Sequence, residues 1–220
     1  MLESMSNRKV TVIDYGVGNL LSVRRGLEYN DASVLVTGDP EKILNSDRVV
    51  LPGVGAFAKG MEELHKRDFV KLLSEIASKG TPLLGICLGM QFLLDQSEEF
   101  GLTSGLGLIP GTVQAIPNQA KDGSKLKIPH IGWSDVIKPP HSENDWSSNI
   151  LKGASENPAV YFVHSFMAQP KNVDHLIAGC LYGENFIPAV IQSENIIGCQ
   201  FHPEKSGKVG LKMLDNFLDI

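Results

Sequence analysis

Pro82-Leu83-Leu84-Gly85-Ile86-Cys87-Leu88-Gly89-Met90 is the stretch on which the reading of this chain turns. Pro82 to Ile86 is short, apolar and bounded by turn signals, which predicts a strand buried on both faces. Gly85-Ile86-Cys87-Leu88-Gly89 leaves that strand and enters a helix, the form of a nucleophile elbow with cysteine in place of serine. The flanking glycines let the chain turn sharply and set the cysteine side chain out of the sheet. A helix beginning near Leu88 points its N-terminus at the sulfur and favours thiolate over thiol. With three cysteines and 22 glycines in 220 residues, the chance count of this pattern is about 0.03, so composition does not explain it. Taken alone, the motif also fits a core cysteine between packing glycines.

On either side of the elbow, short apolar runs alternate with amphipathic segments. This is the pattern of a single α/β domain with a largely parallel central sheet flanked by helices. Val10 to Asp14, Ser33 to Thr37 and Asp47 to Leu51 read as strands before the elbow. Leu20, Val23 and Leu27 recur at helical spacing, and one or two helices occupy Ala58 to Lys79. From Gly111 to Gln200 the runs become strand-like, so additional strands are expected in the C-terminal half. Val160 to Val163, Leu176 to Leu181, Ala189 to Gln192 and Ile197 to Phe201 read as strands, the last two joined by a turn at Ser193 to Asn195. Lys138 to Asn149 is polar and proline-bearing and is expected as an exposed loop. Leu211, Leu214, Phe217 and Leu218 mark a closing helix. Residues 1–8 read as a polar lead-in and 9–220 as one domain, with no linker and no internal repeat.

A net charge of −5 argues against general binding to nucleic acid or acidic membranes. No apolar run approaches the ~18 residues needed to span a bilayer. Met1 to Lys9 lacks the apolar stretch of a signal peptide, so a cytoplasmic protein is expected. Cys87, Cys180 and Cys199 are too few and scattered for a disulfide framework or a zinc site, and Cys180 and Cys199 read as buried core residues. Apart from His202, the histidines are His65, His130, His141, His164 and His175. None has metal-ligand spacing to another histidine or cysteine, and no metal or cofactor is expected. His65, His141 and His175 read as solvated, and His130 and His164 as packed or hydrogen-bonded.

A thiolate nucleophile in acyl transfer needs an acid/base partner. Phe201-His202-Pro203-Glu204 supplies one at the end of an apolar strand. Residues two apart in an extended chain project to the same side, and Pro203 biases His202 toward that geometry. Glu204 can then orient one imidazole nitrogen while the other faces Cys87, the logic of a triad. A lone His-Pro-Glu is a weak signal and reads as a surface loop by default; the elbow makes it the better reading. The oxyanion of the tetrahedral intermediate needs two backbone donors, expected from the N–H of Leu88 and from Gly53-Val54-Gly55 at the preceding strand end. One such donor is worth about 3 kcal/mol of barrier. A phosphate-binding loop is the competing reading of those glycines, but the Gly-Lys-Thr/Ser ending is missing.

Over nearly its full length the chain resembles the glutaminase subunit of imidazole glycerol phosphate synthase, a class I glutamine amidotransferase of flavodoxin-like fold. The matching pieces include Asp14 to Leu20, Leu51 to Phe57, Gly85 to Gln91, Ser97 to Glu99, Pro129 to Trp133, Tyr161 to Ser165 and Gln200 to Ser206. The resemblance implies that glutamine is hydrolysed to glutamate and ammonia through a γ-glutamyl thioester on Cys87, with His202 moving the proton and Glu204 orienting it. It implies that Gln91 and Glu99 hold the ends of the substrate, with His164 and Ser165 nearby. Asn19, Trp133, Tyr161 and Lys205 match positions at or near an interface with a (β/α)₈-barrel cyclase, which receives the ammonia in a heterodimer. The family tends to be weakly active until the synthase binds its nucleotide substrate, so the Val54 N–H is expected to turn into the oxyanion hole only in the liganded complex. Two other readings stand beside this one: a paralogue feeding a cyclase-like barrel in surface-sugar amidination, and a free-standing cysteine hydrolase. Lys138 to Pro158 is longer and more polar than the connection usual in the family.

Overall fold

The computed structural model describes residues 8–140 and 146–220. The chain runs β1 (Lys9–Ile13), α1 (Leu20–Glu28), β2 (Ser33–Thr37), α2 (Pro40–Leu44), β3 (Val49–Gly53), α3 (Phe57–Lys66), α4 (Phe69–Ser78), β4 (Leu83–Cys87) and α5 (Leu88–Phe92). Short strands β5 (Gln96–Ser97) and β6 (Thr103–Ser104) follow, then β7 (Gly111–Ala115), β8 (His130–Asp135), β9 (Ala159–His164), β10 (Phe166–Pro170), β11 (Leu176–Tyr182), β12 (Asn185–Ser193), β13 (Ile196–Cys199) and α6 (Gly207–Leu218).

The main sheet has seven strands in the order β11-β12-β13-β4-β3-β1-β2. Every pairing from β13 through β2 is parallel, while β12 and β11 add an antiparallel edge. β4 lies at the centre, and all five of its residues are buried, as the unbroken apolar run requires. One apolar core, with Leu27, Phe162, Phe201 and Leu214, fills one face of this sheet, and a second, with Tyr15, Phe57, Leu73 and Phe92, fills the other. A four-stranded sheet ordered β10-β7-β5-β6 stands apart from it. β8 and β9 form an antiparallel ribbon of their own.

The α/β architecture and the single domain agree with the sequence reading. Ser33–Thr37 is a strand at the expected bounds, and the Ala58 to Lys79 region holds two helices. β3 begins and ends two residues later than expected, because Pro52 and Gly53 continue the parallel pairing opposite Ile86 and Cys87. β12 extends back to Asn185, and β13 ends at Cys199, leaving Gln200 and Phe201 beyond the ladder. α2 was not foreseen; its signal is Asp39, whose carboxylate accepts from the Glu41 N–H and caps a helix that starts with proline.

The expectation of an exposed loop from Lys138 to Asn149 is corrected at its C-terminal end. Trp146 and Asn149 are buried, and the Trp146 indole N–H donates to the Ile177 carbonyl at 3.1 Å. An indole has too much apolar area to leave in water when a core lies within reach, so one tryptophan overrides a polar neighbourhood. Residues 141–145, with His141, lie outside the described residues. Of the lead-in, Arg8 alone is described; its guanidinium binds Asp215 at 2.8 Å, Asp219 and the Asn30 carbonyl. Cys180 and Cys199 are buried free thiols, as expected, and burial pushes the first up to about 12. Among the described residues no helix is long and apolar enough to cross a membrane.

Candidate active site

The elbow is built by close approach. A Cβ on Gly89 would lie 1.9 Å from the Leu51 carbonyl oxygen, and one on Gly85 would lie 2.6 Å from the Gly89 carbonyl. Only hydrogen at both positions lets α5 double back onto β4 and lie against β3. Cys87, at the join, is forced to φ 55° and ψ −111°, a conformation that a side-chain-bearing residue rarely adopts. The consequence is a sulfur held at the C-terminal end of the central strand, at the lip of a cavity of about 420 Å³. Leu88, Gln91, Glu99, His164, Ser165 and His202 also line that cavity, together with Val54, Gly55 and Lys205.

His202 leaves the end of β13 with an extended backbone, φ −99° and ψ 95°. Its Nδ1 lies 2.8 Å from Oε1 of Glu204, and both side chains are almost wholly buried. Its Nε2 makes no hydrogen bond to another nitrogen or oxygen among the described residues. Burial opposes charge on this ring, but the Cys87 sulfur and the Glu204 carboxylate together outweigh it and raise its pKa to about 9. The imidazole therefore carries a proton near neutrality.

His164 and His130 are tied together, as their cross-strand register demands. His164 Nδ1 lies 2.9 Å from the Phe166 carbonyl, which can only accept, so that nitrogen carries the hydrogen. Burial holds the His164 pKa down to about 3, so its Nε2 is bare and accepts from Nδ1–H of His130 at 3.1 Å. Nε2 of His130 in turn accepts from the Ser134 hydroxyl at 3.0 Å. His164 thus lines the cavity as a neutral ring with both nitrogens engaged. Burial also lowers the pKa of His130.

The Gln91 amide is fixed by the same carbonyl. Its Nε2 donates to Phe166 O and to Gln200 Oε1, each at 3.0 Å, which leaves Oε1 as its free acceptor. Glu99 accepts the Phe57 N–H at 2.6 Å with Oε2, capping α3, and still reaches the cavity. Both residues can accept from a substrate ammonium.

The loop expected to supply an oxyanion donor divides in two. Gly53 is buried outside the cavity lining, and a Cβ there would meet the Gly89 N, the Leu88 Cβ and the Tyr15 hydroxyl within 2.9 Å. Val54 is exposed at the cavity, and Gly55, at φ 95°, has open space around it. Asn19 is exposed at the N-cap of α1 with its side chain uncommitted to the cap. Trp133, also exposed, faces Tyr161 edge-on across the ribbon with ring centroids 6.1 Å apart. Sequence reasoning missed Tyr15, His130, Phe166 and Gln200 as site residues. Gln200 carried a readable signal, since a polar residue two before His202 shares its side of an extended chain.

The class-I glutamine amidotransferase family model matches residues 11–220. The chain belongs to that family. Among the relatives of this class-I amidotransferase, the imidazole glycerol phosphate synthase subunit HisH 1 of Legionella pneumophila (strain Lens) is 52% identical over 96% of this chain and 99% of its own. The subunit HisH of Methanosarcina barkeri is 45% identical over 97% and 99%. Solved structures share the fold at low identity: a glutamine amidotransferase at TM-score 0.71 and 14% identity, covering 96% of this chain and 99% of that one, and PurLQS from Thermotoga maritima at TM-score 0.66 and 20% identity, covering 96% and 97%.

Proposed function

We infer that this amidotransferase is the glutaminase subunit of an imidazole glycerol phosphate synthase. The observation that carries the chemistry is the buried Glu204–His202 pair opening toward the Cys87 sulfur at the lip of the cavity. The pathway assignment rests on the relatives named above.

In this reading the Cys87 thiolate attacks the side-chain carbonyl of glutamine. The carbon–sulfur bond forms as the carbonyl π electrons move onto oxygen, where the Leu88 N–H and the Val54 N–H would stabilise them. Collapse of that intermediate breaks the carbon–nitrogen bond, and His202 gives its proton to the departing nitrogen, so ammonia leaves and a γ-glutamyl thioester remains. The now neutral His202 takes a proton from water as its oxygen attacks the thioester. Glutamate is released and the sulfur returns as thiolate. Glu204 holds the ring and stabilises its charged form throughout. Gln91 Oε1 and Glu99 receive the α-ammonium, beside Ser165.

Ammonia passes to a (β/α)₈-barrel cyclase in a heterodimer, docked over Asn19, Trp133, Tyr161 and Lys205. The test is the assembled pair assayed with either nitrogen source. Cys87→Ala is expected to abolish glutamine-dependent synthesis and retain ammonia-dependent synthesis. Retained glutamine-dependent synthesis in Cys87→Ala would sink the assignment of the nucleophile, and a cyclase-like sugar amidinating barrel as the productive partner would sink the pathway.

A further inference from the structure

The orientations of two buried amides are fixed by one carbonyl, and they converge on the sulfur. Phe166 O can only accept, so the atom of Gln91 beside it is the NH₂ group. That group also reaches the Gln200 side chain at 3.0 Å, so the atom it meets there is the oxygen, Oε1. The NH₂ of Gln200 must then be its other terminus, which lies 3.8 Å from Sγ of Cys87, within donor reach of sulfur. Gln200 is wholly buried, and its own backbone N–H is pinned to the Ala189 carbonyl at 2.8 Å. Turning the amide over would set its NH₂ against that of Gln91 and its oxygen against the sulfur. The sulfur also faces His202, and the Val163 carbonyl at 4.0 Å, an acceptor, suits the thiol.

We propose that Gln200 is a further residue of the reaction: its side-chain N–H holds the Cys87 sulfur in its attacking position and favours the anion. A donor aimed at sulfur stabilises thiolate relative to thiol, and a buried one does so without solvent competition. The same amide locks Gln91, so the group that receives the substrate ammonium and the group that attacks its carbonyl share one rigid frame. This last link rests on the glutaminase reading; the contact with the sulfur does not.

The test is the rate at which iodoacetamide alkylates Cys87 in the whole chain. Gln200→Met keeps the volume and removes the donor, and is expected to slow alkylation at pH 7 about tenfold and to move its pH profile upward. Gln91→Met breaks the same amide–amide bond without touching the sulfur, and is expected to slow alkylation less than threefold. A purely structural role predicts equal effects of the two variants, and that outcome would overturn the proposal. A measurement on the unaltered chain needs no variant: the Gln200 side-chain amide resonance should shift as Cys87 is titrated. An unmoved resonance also overturns it. Neither readout uses glutamine, so failure here is distinguishable from failure of the glutaminase assignment, which the nitrogen-source assay on Cys87→Ala decides.

Discussion

The hydroxyl of Tyr15 donates a 2.8 Å hydrogen bond to the carbonyl of Pro52, and so anchors the rigid half of the loop whose other half carries Val54. Burial, with the nearby Cys87 charge adding to it, keeps that hydroxyl protonated well above its usual range. Tyr15 is thus a permanent donor. Any rotation that brings an N–H of this loop toward the cavity must take place beyond Gly53, where space is open.

Tyr15→Phe leaves the ring packing in place and releases the Pro52 carbonyl. A cost of about 1 kcal/mol in stability is expected. In the assembled enzyme kcat for glutamine should fall about tenfold with KM steady, since part of an oxyanion donor's effect is lost. An unchanged kcat alongside the stability loss would show that the anchor has no part in catalysis.

In the proposed triad, replacing His202 should cost more than replacing Glu204. His202→Ala is expected to lower kcat/KM by about 10³-fold or more, and Glu204→Gln by about 10–100-fold, because the amide still fills the site while losing its charge. Steady-state glutaminase kinetics of the two variants decide the order. A larger loss in Glu204→Gln would assign that carboxylate a second duty.

Two of the perturbed histidines, His202 and His164, predict opposite pH behaviour. His202 keeps its proton up to about 9, so the glutaminase rate should hold through neutrality and fall above about pH 9 as the proton for the leaving nitrogen is lost. An alkaline limb below pH 7.5 contradicts this. His164 is depressed, so its neutral burial stabilises the fold fully above its unfolded value near 6.5. That contribution is lost progressively as pH falls toward about 3, because the unfolded chain binds the proton that the folded ring refuses. In thermal melts below pH 6, His164→Gln should lose stability less steeply than the unaltered chain.

Gly89→Ala places a methyl carbon 1.9 Å from the Leu51 oxygen, and backbone cannot yield as a flexible side chain does. A loss of about 3 kcal/mol or more is expected by denaturant unfolding. Wild-type stability in this variant would mean that α5 can shift away from β3.

The elbow and the His202–Glu204 pair were legible because each is local. Gly-x-Cys-x-Gly encodes its own turn, and an extended His-Pro-Glu sets its own two side chains side by side. The parallel sheet was legible from runs such as Leu83 to Ile86. What could not be read was pairing at a distance. That His130 meets His164 follows from the register of β8 on β9, and that Tyr15 reaches Pro52 follows from β1 lying beside β3. Trp146 was hidden for a different reason: a single large apolar side chain carries the burial of a segment whose average is polar.

Among the described residues the β8–β9 ribbon pairs only with itself as a sheet, yet its backbone is tied to the rest of the chain. At one end Ile137 exchanges both backbone hydrogen bonds with Gly179 of β11, at 2.7 and 2.9 Å. Farther along, the Tyr161 carbonyl accepts the His202 N–H, while the Tyr161 N–H donates to the Ser206 hydroxyl, which itself donates to the His202 carbonyl. Val160 and Phe162 of the ribbon are wholly buried in the core beneath the seven-stranded sheet, so the ribbon and the His202 backbone are joined as one unit. Trp133, exposed on the ribbon, stands opposite Tyr161, and the Tyr161 carbonyl holds the His202 N–H, so a single residue separates the outer face of the ribbon from that imidazole's backbone.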